Sequence, residues 1–122
     1  MALLSGMVLN RVSSHIGAAG NKTIFAGSGT YTAADFSVGP TEGLGFEPNE
    51  VTLINLTDRV TMEQFVDSGL DGGDNAKGMK TIADGTRTYE ATGLSVSNRT
   101  VSVDVSVALL TDDDDFILIC ER

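Results

Sequence analysis

The chain has 122 residues and a net charge of −9, with eight Lys and Arg spread among seventeen acids. No basic cluster is available to neutralise phosphates, which argues against nucleic-acid binding. With no Trp and only 6% aromatics, neither a stacked-ring sugar platform nor a single-strand groove is expected.

Residues 1–22 differ from the rest. They lack clean alternation and end in Gly17-Ala18-Ala19-Gly20-Asn21, a flexible composition. Leu3, Leu4, Met7, Val8, Leu9, Val12 and Ile16 are nevertheless apolar. Such a tail is a liability unless it docks. Fully extended it reaches about 70 Å. The expectation is an N-terminal arm over 1–22 that lies on its own domain or on a neighbour, followed by one domain over 23–122. Deleting residues 1–20 is expected to weaken partner binding and leave the domain folded. The apolar opening has no positive start and is too short to span a bilayer, so neither a signal peptide nor a membrane anchor is expected.

Thr23-Ile24-Phe25-Ala26 and Thr30-Tyr31-Thr32-Ala33 read as strands around a Gly27-Ser28-Gly29 turn. Residues 39–45 are a loop. Residues 46–57 form the next strand, with Val51 and Leu53 on one face and Thr52, Ile54 and Leu56 on the other. A strand apolar on both faces is covered on both, by a second sheet or another subunit. Residues 60–65 return as a strand after a turn at Thr57-Asp58, although Met62, Phe65 and Val66 also suit helical spacing. Residues 68–78 are a polar, Gly-rich loop. Asp84-Gly85 between strand-like flanks is a hairpin signal, because the turn needs positive φ.

Leu94-Ser95-Val96 and a turn at Ser97-Asn98 lead into Thr100-Val101-Ser102-Val103-Asp104-Val105-Ser106-Val107-Ala108-Leu109, where every odd position is Val or Leu. That is the pattern of one long half-buried strand. A turn over 112–114 precedes Phe116-Ile117-Leu118-Ile119-Cys120, again apolar on both faces. Regular strand-and-turn spacing without a helix predicts an all-β, antiparallel, sandwich or jelly-roll-like single domain with an extended N-terminal arm.

Nothing here reads as a catalytic constellation. Ser13, Ser14 and His15 are neighbours, but adjacent residues of an extended segment face opposite ways and no orienting Asp is evident. One His and one Cys cannot build a zinc site. Asp112-Asp113-Asp114-Asp115 and Asp71-Gly72-Gly73-Asp74-Asn75 are the best calcium candidates, yet neither has EF-hand spacing, and solvated turns explain them better. Cys120, alone in an apolar run, reads as a small buried hydrophobe. The expectation is no enzyme, no cofactor and no metal. Candidate partner contacts are Leu3, Leu4, Met7, Val8, Leu9, Val12, Ile16, Ile117 and Ile119.

Residues 45–91 carry a likeness. Gly45-Phe46-Glu47-Pro48-Asn49-Glu50-Val51-Thr52-Leu53-Ile54-Asn55-Leu56-Thr57-Asp58-Arg59, then Met79-Lys80-Thr81-Ile82-Ala83-Asp84-Gly85-Thr86, resembles small virion structural proteins of tailed bacteriophages. After Phe65 the chain departs from that pattern, and its ends match less well. The resemblance implies a non-enzymatic virion protein made in the host cytoplasm. A capsid decoration (cement) protein on the outer shell is the leading form, with the major capsid protein and further copies of itself as partners, as a homotrimer matching local three-fold positions. It implies no nucleic acid, membrane or small-molecule substrate. A tail or head–tail connector or fibre-base component is the neighbouring reading. A ligand-binding β-sandwich module is the alternative of another class.

Overall fold

Strand alternation sets the architecture directly. The computed structural model describes residues 3–18, 20–65, 77–90, 93–105 and 110–122. Its ten strands are β1 (Met7–Gly17), β2 (Gly20–Gly29), β3 (Phe36–Val38), β4 (Glu50–Asn55), β5 (Val60–Phe65), β6 (Lys77–Thr81), β7 (Arg87–Glu90), β8 (Leu94–Ser97), β9 (Thr100–Val103) and β10 (Phe116–Glu121). Among the described residues a single 3-10 turn spans Pro40–Glu42. The chain is all-β, and every pairing is antiparallel.

Seven strands form one sheet in the order β1-β2-β10-β4-β5-β6-β7, and three form another in the order β3-β9-β8. The large sheet turns Phe25, Val51, Leu53, Met62, Phe116, Leu118 and Cys120 inward, where they share one core with Phe36, Val38, Leu94, Val101 and Val103 of the small sheet. The Phe36 and Phe116 rings meet across that core with centroids 5.4 Å apart, tilted by 40°. Each fully buried phenylalanine contributes roughly 2 kcal/mol or more by leaving water. Gly27 lies in β2 rather than in a turn, and the position takes glycine because a Cβ there would collide with the Phe116 ring.

Two expected hairpin turns are present. Gly85 adopts φ 90° between β6 and β7, and its amide donates to the Ile82 carbonyl at 2.8 Å. Asn98 and Arg99 turn β8 into β9, both with positive φ (53° and 59°), one residue beyond the expected pair.

Residues 7–17 form β1, an edge strand of the large sheet, so this part of the N-terminal segment lies on the chain's own domain. β1 pairs with β2 from Met7↔Gly29 to Gly17↔Gly20. Met7 is buried, and Leu3, Leu4 and Leu9 pack on the core. The alternation was hidden by a register shift between Arg11 and Ser13. An extra residue there swaps the faces of everything after it. Deleting residues 1–20 would therefore strip a strand and a buried side chain from the sheet.

Residues 30–33 are not a strand; they form an extended loop tied to the aspartate run. The strand expected over 46–57 is Glu50–Asn55. The long strand expected over 100–109 ends at Val103, and residues 106–109 lie outside the described residues. Its first half keeps the expected faces, with Val101 and Val103 buried and Ser102 exposed. Most of the loop expected over 68–78, including 71–75, also lies outside the described residues, and Lys77 and Gly78 belong to β6.

Candidate functional site

The outer face of the large sheet is the first candidate surface. Register places Ser13, Ile24, Ile119, Thr52, Glu63, Met79 and Tyr89 in one row across all seven strands. The next row runs Asn10, Ala26, Ile117, Ile54, Thr61, Thr81 and Arg87. Ile24, Ile54, Ile117 and Ile119 are half-buried against one another on the side away from the core. Ile117 and Ile119 were legible as a second apolar face of β10; Ile24 and Ile54 join them only through strand order. The β5–β7 side is more polar, with Arg87 Nη2 lying 3.8 Å from Glu63 Oε1 and Tyr89 exposed.

The edge strand β1 is the second. Every residue from 10 to 17 is exposed. Val8, Val12 and Ile16 are 50%, 62% and 58% exposed, so these three remain available to a partner. Met7 does not, and Leu3, Leu4 and Leu9 largely belong to the core. Arg11 Nη1 donates to the Gly43 carbonyl at 3.4 Å. The Ser14 hydroxyl bonds the buried Thr23 hydroxyl at 3.1 Å, while His15 pairs with Lys22 on the opposite face. Ser14 and His15 thus face opposite ways, while Ser13 shares the outer face with His15.

The aspartate run is a structural clamp. Asp112 Oδ1 accepts the Ala33 amide and Asp113 Oδ1 the Tyr31 amide, both at 2.7 Å. Asp114 Oδ2 accepts from the Thr111 amide at 2.9 Å, the Thr111 hydroxyl at 3.1 Å and Asn55 Nδ2 at 3.2 Å. The Asp115 amide donates to Thr57 Oγ1 at 3.0 Å, and the Tyr31 hydroxyl donates to the Asp114 carbonyl. Burial would raise the Asp114 carboxyl, but hydrogen bonds from Thr111, Asn55 and Asp58 outweigh it and hold the group below its ordinary value. Asp58 moves the other way, raised chiefly by its hydrogen bond to Asp114.

Among the described residues, no group of three or more His, Cys, Asp or Glu is arranged to hold a metal ion. An open cleft of about 550 Å³ borders the clamp between Leu4, Thr30, Tyr31, Asp112 and Asp113. Its two carboxylates already accept backbone amides.

Two buried groups complete the picture. Burial pushes the Cys120 thiol up to about 12, which keeps it un-ionised and unreactive. Gln64 is fully buried, and among the described residues neither its Oε1 nor its Nε2 has a hydrogen-bond partner.

No protein-family model, curated protein or solved structure matches this chain.

Proposed function

We propose that this chain is a non-enzymatic virion structural protein of a tailed bacteriophage, a capsid decoration protein that bridges major capsid protein subunits on the outer shell. The observation that carries the reading is β1, an eleven-residue edge strand displaying Val8, Val12 and Ile16 to solvent. An exposed apolar edge is an aggregation hazard for a free protein and a contact surface for one that works in an assembly. Pressurised DNA pushes a shell outward, and a small protein gripping two neighbours adds contact area where they would part.

The resemblance over residues 45–91 supports this reading, and its quoted residues have structural roles here. Phe46, Val51 and Leu53 are core. Asn55 and Thr57 grip the aspartate clamp, and the Asp58 amide donates to Asn55 Oδ1 at 3.1 Å.

The test uses decoration-free shells of the encoding phage. The wild-type chain should sediment with them. A Val8→Asp, Val12→Asp, Ile16→Asp triple variant should remain folded, since all three side chains are exposed, and should stay in the supernatant. Failure of the wild-type chain to bind shells, or equal binding by the triple variant, would overturn the proposal.

A further inference from the structure

We infer that the outer face of the seven-stranded sheet is a self-association surface that pairs two copies of this chain face to face. From β1 to β4, the two central rows of that face contain no charged residue. Ile24, Ile54, Ile117 and Ile119 give these rows an aliphatic centre. Four strands and two rows cover on the order of 250 Å² of sheet. A standard interface buries about 800 Å² per partner, so this patch supplies the dry centre and needs a polar rim around it.

The rim selects the occupant. Along the row bordering the patch, Lys22 of β2, Glu121 of β10 and Glu50 of β4 stand side by side. β1 and β2 contain no carboxylate, whereas β4, β5 and β10 carry Glu50, Glu63 and Glu121. A two-fold axis parallel to the strands and passing over β10 lays β2 of one copy on β4 of the other without changing row. Ile117 then meets Ile117, Ile119 meets Ile119, Lys22 meets Glu50 at two symmetry-related points, and Glu121 faces its own copy on the axis between the two Lys22 side chains, which offset that like-charge contact. Two sheets pack this way with near-aligned strands, about 10 Å apart. The contact is isologous and closes at two copies. It does not depend on what larger body the protein attaches to.

Sedimentation velocity of the purified full chain over a concentration series is the test. A dimer is expected. Ile117→Asp places a charge at the centre and should give a monomer with an unchanged circular dichroism spectrum. Lys22→Glu should weaken the dimer about tenfold, and adding Glu50→Lys in the same chain should restore it. A wild-type monomer up to millimolar concentration, a trimer, or no rescue by the charge swap would overturn the inference. Shell binding is read separately, so it can survive or fail without deciding this result.

Discussion

Asn55 and Asp114, 59 residues apart in the chain, are joined by a buried hydrogen bond of 3.2 Å. It fastens the end of β4 to the loop that delivers β10 into the centre of the large sheet. Both residues are almost wholly buried. Breaking the bond leaves a buried carboxylate short of one donor. Asn55→Leu should cost roughly 1–3 kcal/mol. Urea unfolding followed by circular dichroism measures it, and an unchanged midpoint would remove the clamp from the account.

The same clamp makes stability depend on pH at both extremes. Asp114 has a folded pKa below its ordinary 3.8, so its contribution is complete above 3.8 and disappears as pH falls through the lower folded value. Asp114→Asn should lower the melting temperature at pH 7 and flatten its acid-side decline, as thermal scans at several pH values will show. Tyr31 is the mirror case. Burial, followed by the charges of Asp114, Asp115, Asp113 and Asp112, pushes its phenol from 10.0 to about 12. Its contribution is complete below 10 and is lost as pH rises towards 12. Tyr31→Phe should cost about 1 kcal/mol at neutral pH and abolish that alkaline loss.

Much of this fold is legible in the sequence, and the illegible parts have identifiable causes. Val101 and Val103 and the Asp84-Gly85 turn follow from local period and turn chemistry, which need no knowledge of distant neighbours, whereas at Val60–Phe65 the apolar spacing also suits a helix and pairing with β4 and β6 makes it a strand. β1 is hidden because the bulge between Arg11 and Ser13 breaks the very alternation that identifies a strand. Thr30–Ala33 has strand-like composition, but Asp112 and Asp113 take the amides of Ala33 and Tyr31 that a ladder would use. The outer aliphatic surface is half-legible. Ile117 and Ile119 stand out within β10, but only the pairing register shows that Ile24 and Ile54 lie beside them.

Gln64 offers a test of opposite sign. Its amide is buried without hydrogen-bond partners among the described residues, while Gly78 across the β5–β6 pair leaves the space its side chain fills. A buried amide with no hydrogen bonds is destabilising. Gln64→Met keeps the volume and removes the polar group, so it should stabilise the fold by about 1 kcal/mol or more. A lower unfolding midpoint in the variant would show that the amide has a hydrogen-bonding role.

Val103 tests the orientation of the small sheet. It is 1% exposed and sits opposite Phe36 and Leu94 in the ladder. Val103→Asp places a carboxylate in that core and should cost several kcal/mol, whereas Ser102→Asp on the exposed side should cost little. Comparable melting temperatures for the two variants would invert the faces assigned here.

The central claim is that this protein acts as a fastener on a particle surface. Electron microscopy of decoration-free shells, imaged with and without the added full-length chain, tests it most directly. Discrete extra density on the outer surface, bridging neighbouring capsid subunits, is the result expected. Shells unchanged by an excess of folded protein would contradict it.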